Sequence, residues 1–153
     1  MPTVKEATHE RITSSFAGKG FQLTDVLPKD TMSLEDTIIG ALRSPTPRLL
    51  EGIPILLAKN EVNYSHLKNQ IDKYQLWNEF GYLGEFALKH IEDSRLKNLV
   101  NYCGRNLKPS SDPLGYSQIY ADARISSDEW KKWNISGVPS YVALQQQFGR
   151  YHD

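Results

Sequence analysis

The sequence contains a single cysteine, no long apolar run and no excess of charge of either sign. One cysteine excludes a disulfide within the chain. The residues after the starting Met are polar, and no apolar stretch reaches the roughly 18 residues that a membrane helix needs. We therefore expect no signal peptide, no membrane span and a cytoplasmic location. The 18 Lys and Arg balance the 18 Asp and Glu, so any attraction to nucleic acid must come from a local patch.

Residues that catalyse reactions or bind metals are few and scattered. Glu51, Glu79 and Glu85 have no acid or His at i+3 or i+4, so we expect solvated helix faces rather than metal ligands or a catalytic acid. Cys103 ends an apolar stripe, which predicts a core residue rather than a nucleophile. We therefore predict that the protein is not an enzyme and has no metal or cofactor. The four histidines show no ligand spacing and are expected at the surface or its boundary: His9, His66, His90 and His152.

Apolar residues recur at helical spacing from Leu34 to Cys103 and again from Tyr116 to Phe148. The pattern predicts an all-α fold. Short links between the helices favour antiparallel helical hairpins, arranged as a bundle or a short helical-repeat stack. The two clearest stripes are Leu49, Leu50, Ile53, Leu56 and Leu57, and then Leu76, Trp77, Phe80, Leu83, Gly84, Ala87 and Ile91.

Local signals set the expected helix boundaries. Ser33 precedes two acids and predicts a helix from Leu34 to Leu42, while Thr46 and the following proline start another that ends near Lys59. Pro54 lies inside that second helix, off the apolar stripe, and should kink it. The remaining helices are expected from Asn63 or Ser65, from about Leu76 to Ile91, and from Asp93-Ser94 to Gly104.

Composition divides the chain into three expected domains. Residues 1–32 are polar and poorly periodic, so we predict an N-terminal arm. Residues 33–104 form the helical core. The linker at 104–112 is rich in Pro, Gly, Ser and Asn, and residues 113–153 form a C-terminal unit.

Three short helices are expected in the C-terminal unit. The first covers 116–123, and the second starts at the capping box 126–129 and places Trp130 and Trp133 on one face. A turn at 136–139 leads to the last helix, which Ser140 caps. The inward-facing residues of that helix are expected to be Tyr141, Leu144 and Phe148. This order matches the outline of a helix-turn-helix.

The same region carries a recognisable motif: Pro139-Ser140, Leu144, Phe148-Gly149 and Tyr151. Through it, residues 130–151 resemble the small helix-turn-helix repeats associated with homing endonucleases, which implies nucleic-acid binding. Those repeats usually place Arg or Lys before the Phe and Trp near the end, whereas this chain has three glutamines and a tyrosine there. Residues 48–54 and 78–85 resemble helical parts of antitoxins from abortive-infection systems, a resemblance that assigns no role to any residue.

The residues of the last helix also point to nucleic acid independently of that resemblance. If its apolar residues are buried, Ala143, Gln146, Gln147 and Arg150 face away from the core. Gln pairs with adenine through two hydrogen bonds, and Arg reaches guanine or phosphate. A polar solvated face is the plainer alternative, because recognition helices usually carry more basic charge. The predicted nucleic-acid-binding residues are Lys131, Lys132, Ser140, Gln146, Gln147 and Arg150.

Two functions remain open at this point. The first is a regulator that binds duplex DNA through the C-terminal unit. The second is a helical protein–protein interaction scaffold or antitoxin-like module, which binds a protein on its helical core and binds no nucleic acid. The second function predicts dispersed cations and an exposed patch that is apolar or acidic. The first predicts that six cations gather on one face: Lys97, Arg105, Lys108, Lys131, Lys132 and Arg150.

Overall fold

The computed structural model describes residues Ile12, 15–17, 19, 32–114 and 128–151. Within these residues the chain is mostly helical and forms no strand; a single isolated bridge joins two loop residues. The all-α prediction is confirmed. Most of the expected N-terminal arm and the helix expected at 116–123 lie outside the described residues.

The helices pack both with their neighbours in sequence and with the next helix but one. Helix α1 lies against α2 and α3, α4 lies against α2, α3 and α5, and α3 also lies against α5. The last helix, α7, crosses back over α2. The bounds are α1 Leu34–Arg43, α2 Pro47–Lys59, α3 Tyr64–Tyr74, α4 Trp77–Ala87, α5 Ser94–Gly104, α6 Asp128–Lys132 and α7 Tyr141–Tyr151.

The expected helix starts are confirmed by their caps. The side chains of Ser33, Thr46, Asn63 and Asp93 each accept a hydrogen bond from a backbone N–H in the first turn of their helix. Such caps satisfy donors that the helix itself leaves unpaired. The expected end of α4 was wrong, because that helix stops at Ala87 rather than near residue 91. The chain then continues in tighter i to i+3 hydrogen bonds.

Pro54 differs from its expected position. It is buried rather than off the apolar stripe, as is every residue from Gly52 to Leu57. The reason is that α2 packs against α1, α4 and α7, so three sides of the helix are covered instead of one. An apolar stripe inferred from residue spacing alone describes a helix that packs on one side only.

A single apolar cluster holds the described residues together. It contains Ile12 and Phe16 from the N-terminal region, Phe80 from α4, and Leu144 and Phe148 from α7. Side chains from all three expected domains therefore share one core. The division into domains remains a prediction, but the described part of the C-terminal unit is packed against the helical core.

Candidate nucleic-acid and protein interface

Helix α4 is the platform on which the C-terminal unit is held. The indole of Trp133 lies over Gly81 so closely that a Cβ at position 81 would overlap the ring. Next to it, the buried hydroxyl of Tyr82 donates to the carbonyl of Pro139 at 2.7 Å and accepts from Trp130 Nε1 at 3.2 Å. These contacts fix the segment between α6 and α7 to the core.

A polar network ties the loop after α5 to the turn that precedes α7. The buried Asn78 amide donates to the carbonyls of Lys108 at 3.1 Å and Trp133 at 3.0 Å, and its oxygen accepts from the Lys108 N–H. Ser111 and Ile135 form an isolated parallel bridge across the same two segments. One side chain of α4 therefore holds two loops side by side.

Glu79 corrects the expectation of a solvated carboxylate. It is only 6% exposed, because the loop after α5 folds over it. Its Oε2 accepts from Ser111 Oγ at 2.5 Å and lies 3.8 Å from Lys108 Nζ. The charge of Lys108 is therefore paired with a buried carboxylate of the same chain.

Glu85 is likewise engaged rather than simply solvated. It accepts hydrogen bonds from Lys132 Nζ and Trp133 Nε1, and the hydroxyl of Tyr141 lies 3.5 Å away. Burial and the nearby Glu85 charge raise the pKa of Tyr141, so its hydroxyl stays protonated. Lys132, predicted to bind nucleic acid, instead forms an ion pair with α4. Its sequence neighbours gave no sign of this, because its partner lies 47 residues away.

The inward face of α7 is confirmed. Leu144 and Phe148 are buried, and the half-buried Tyr141 packs on Tyr82 and Phe86. Ser140 caps the helix, since its Oγ accepts a hydrogen bond from the backbone N–H of Ala143 at 3.2 Å. The outward residues are all exposed: Val142 at 69%, together with Gln145, Gln146, Gly149 and Arg150.

Gln147 does not face a ligand as predicted. It is half-buried and lies near the Glu51 carboxyl of α2, because α7 packs across that helix. Burial raises the pKa of Glu51, and the charge of Arg48 together with the neighbouring Gln147 amide partly opposes this. Glu51 is thus part of the contact between α2 and α7.

The six expected cations are only partly brought together. Asn134 bonds to the carbonyls of both Lys131 and Lys108, and the ring of Trp133 approaches Gly104, next to Arg105. The end of α5, its following loop and α6 are therefore neighbours. Arg105 and Lys131 are exposed and form no ion pair with any described residue. Arg150 lies at the C-terminal end of α7, and none of the described contacts joins it to this group.

A groove of about 570 Å³ runs between the end of α4 and the start of α5. Leu88, Ile91 and Val100 give it an apolar lining, and Lys89 and Lys97 lie among its charged residues. Through Glu85 and Lys89 it continues into a cleft of about 330 Å³ beside Tyr141. Acidic and basic side chains are mixed around the groove and the cleft, so the charge of neither favours anionic over cationic ligands.

Sequence reasoning missed Val142 and Gln145 as exposed residues of α7. The signal was present, because 142, 145, 146 and 149 follow helical spacing on the side opposite Leu144 and Phe148. The prediction instead placed the outward face on Ala143, Gln146, Gln147 and Arg150, and both Ala143 and Gln147 are half-buried.

Three negative findings complete the site. No group of His, Cys, Asp and Glu side chains in the described part of the chain is placed to hold a metal ion. Across those same residues, no helix is long and apolar enough to cross a membrane. No family model, curated protein or solved structure matches the sequence or its fold.

Proposed function

We propose that the protein binds nucleic acid through a basic surface made of Lys97, Arg105 and Lys131. One observation carries the proposal: residues 94–111 contain no carboxylate, and two of their four Lys or Arg, Lys97 and Arg105, form no ion pair with any described residue. Both Lys97 and Arg105 on this segment are exposed. Lys131 of α6 lies beside the end of the segment through the contacts of Trp133 and Asn134.

The chemistry of this surface suits a phosphate backbone. Lys and Arg supply most of the contacts to phosphates, and each neutralised phosphate releases a counterion. Asn98 and Asn101 are exposed on the same helix as Lys97, and their amides are suited to bonding phosphate or base edges. Asn78 and Trp133 fix the backbone beneath the surface, so little ordering is needed on binding.

The proposal changes the residues expected from the sequence. Lys132 and Gln147 are excluded, since Glu85 and Glu51 engage them. Ser140 serves as the cap of α7. Gln146 and Arg150 are exposed at i and i+4 on α7, and binding through them is the competing arrangement that the helix-turn-helix resemblance implies.

The test is binding of a labelled mixed-sequence DNA duplex at two salt concentrations. We expect affinity to fall steeply with salt, and Arg105→Ala and Lys131→Ala each to weaken binding to all sequences and lower the salt slope by about one. Lys73→Ala is the matched control, because it removes an exposed lysine of α3 and should change neither quantity. Absence of salt-sensitive binding at micromolar protein would overturn the proposal. Loss of binding only in Gln146→Ala and Arg150→Ala would move the interface to α7.

We propose a second function, docking of a protein on the outward face of α7. The supporting observation is Val142, the one large hydrophobic residue of the described chain that is exposed. Apolar side chains on the outward face of a helix are the anchors by which a helix packs into a partner's groove. This docking face and the basic surface share no residue, so the two functions are compatible.

A further inference from the structure

The outward face of α5 carries cations and amides but no acid. It consists of five exposed residues at i, i+3, i+4, i+7 and i+11, which lie on the side opposite the buried residues of the helix. They are Ser94, Lys97, Asn98, Asn101 and, at the C-cap, Arg105. A face of this composition attracts phosphates and can also bond the edges of bases.

The two asparagines of this face are not explained by the fold of the chain. Asn is unfavourable inside a helix, because its short amide competes for backbone hydrogen bonds. Asn98 and Asn101 nevertheless stand in the interior of α5, and neither side chain hydrogen-bonds any described residue. Five other asparagines do form side-chain hydrogen bonds within the protein: Asn60, Asn63, Asn78, Asn106 and Asn134. The amides of α5 are therefore available to a partner outside the chain.

We propose that α5 lies in the major groove of duplex DNA and that Asn98 and Asn101 recognise adenine there. The inference rests on the proposal that the basic surface binds nucleic acid, and it names the form of nucleic acid and the residues that select its sequence. An Asn amide offers a donor and an acceptor side by side, which match N7 and the N6 amino group of adenine in the major groove. The minor groove presents no such pair, so the contact requires the major groove.

The cations of the face are spaced for the two strands of a duplex. Lys97 and Arg105 are eight residues apart, which is about 12 Å along the helix and about the width of the major groove. A helix that crosses the groove therefore brings one cation to the phosphates on each side. Asn98 and Asn101 lie between the two cations in sequence, so they face the floor of the groove. Lys131 lies beside the Arg105 end and adds a phosphate contact there.

The acids closest to this face in sequence precede its first turn. Asp93 caps α5, and its Oδ1 lies 3.6 Å from Arg95 Nε, so its charge is partly offset. Glu92 is exposed and repels phosphates near that turn. The duplex is therefore expected over the following turns, where the two asparagines lie.

Unpaired strands fit this face less well than a duplex. Proteins that bind single strands stack the bases on exposed aromatic rings. In the part of the chain that the structure describes, no Phe, Tyr or Trp is exposed. Tyr102 of α5 is half-buried, with Lys68 Nζ 4.2 Å from its ring centre and its hydroxyl donating to Asp72 at 2.7 Å. No ring is therefore available beside the asparagines to stack a base.

Selection of duplexes from a random pool by the full chain tests the inference. We expect the selected duplexes to share an adenine and to bind more tightly than a scrambled duplex. Asn98→Ala and Asn101→Ala should each lower this affinity ratio about tenfold or more, because each removes one bidentate contact, and should leave binding of the scrambled duplex unchanged. Alanine favours a helix more than asparagine does, so both variants should fold. Asn69→Ala is the matched control, because it removes an exposed asparagine of α3 that also lacks a side-chain hydrogen bond to any described residue.

A modified base identifies the contact itself. 7-Deazaadenine keeps its Watson–Crick pairing but lacks N7, the acceptor that an Asn amide needs in the major groove. In the selected site it should weaken binding of the original chain and have little further effect on the variant whose asparagine contacts that base. An equal loss in the original chain and in both variants would overturn the assignment to α5.

The remaining outcomes separate this inference from the proposed function beneath it. A preferred sequence that is lost only in Gln146→Ala, or tighter binding of single strands than of duplexes, would overturn the role of α5. Salt-sensitive binding with no preferred sequence would overturn base recognition and leave the basic surface as a binder of the phosphate backbone. No salt-sensitive binding of any nucleic acid would remove both.

Discussion

Trp133 lies against the bare backbone of Gly81, in the space that a Cβ at position 81 would occupy. The indole is 3% exposed and its Nε1 donates to Glu85, one turn further along α4. A glycine within a helix is unfavourable by itself, but here it lets a large aromatic ring approach the helix backbone and be buried. This contact couples the C-terminal unit to the core.

The first prediction follows from that contact. Gly81→Ala should lower the free energy of unfolding by about 1–3 kcal/mol, because the added methyl group overlaps the Trp133 ring. Gly149→Ala adds the same methyl group in open space and should raise stability by up to about 1 kcal/mol. Urea denaturation of both variants measures the difference. Equal effects would mean that Trp133 is not seated on Gly81.

Tyr82 gives a second prediction about the same attachment. Tyr82→Phe removes a buried hydroxyl that donates to the carbonyl of Pro139 and accepts from the indole N–H of Trp130. Leaving buried polar groups unpaired costs about 1–3 kcal/mol, and we expect a loss of that size in thermal or urea unfolding. Tyr74→Phe is the control, because the Tyr74 hydroxyl makes no hydrogen bond with any described residue. A loss of stability no larger than that of Tyr74→Phe would mean that the hydrogen bonds of the Tyr82 hydroxyl do not stabilise the fold.

Helix starts could be predicted from the sequence because their causes are local. Ser33, Thr46 and Asp93 each cap a backbone N–H within three residues, so residue type and position suffice. The apolar stripes likewise follow from spacing along one helix. Pro54 shows where this reasoning stops. Its burial depends on how many helices surround α2, which no short stretch of sequence specifies.

The candidate site was predictable only in part for the same reason. Arg105 and Lys131 were expected to be accessible cations, and both are exposed. Lys132 and Gln147 were expected to be free, but Glu85 and Glu51 engage them from helices far away in the sequence. Whether a surface cation is available depends on its tertiary partners. Residue type alone does not contain that information.

Asp72 predicts an acid-dependent loss of stability. Burial opposes its ionisation, but hydrogen bonds from Trp77 Nε1 at 2.9 Å and Tyr102 Oη at 2.7 Å, with Lys68 nearby, lower its pKa. A carboxylate whose pKa is lower in the folded state stabilises the fold in full at pH values above its pKa in the unfolded chain, which is about 3.8. That contribution disappears as the pH falls through the folded pKa.

Asp72→Asn keeps an oxygen acceptor and removes the charge. We expect the variant to be less stable at pH 7 and to lose stability less steeply below about pH 4, measured as the urea midpoint across a pH series. Asp93, whose pKa is also lowered, remains in the variant, so part of the acid dependence should persist. A pH profile parallel to that of the original protein would show that Asp72 does not contribute to it.

Cys103 should be inert in the folded protein. Its side chain lies in the core at 0% exposure, and burial together with the charges of Asp72 and Glu79 raises its pKa to about 12. The thiolate is the reactive form, so at pH 8 a thiol reagent such as dithionitrobenzoate should react only as fast as the protein opens. In urea above the unfolding midpoint the reaction should be complete within mixing. As a positive control, Val142→Cys places an exposed thiol on the same chain and should react at once with one equivalent while Cys103 stays protected. Rapid modification of the original folded protein would mean that the core around α5 is open to solvent.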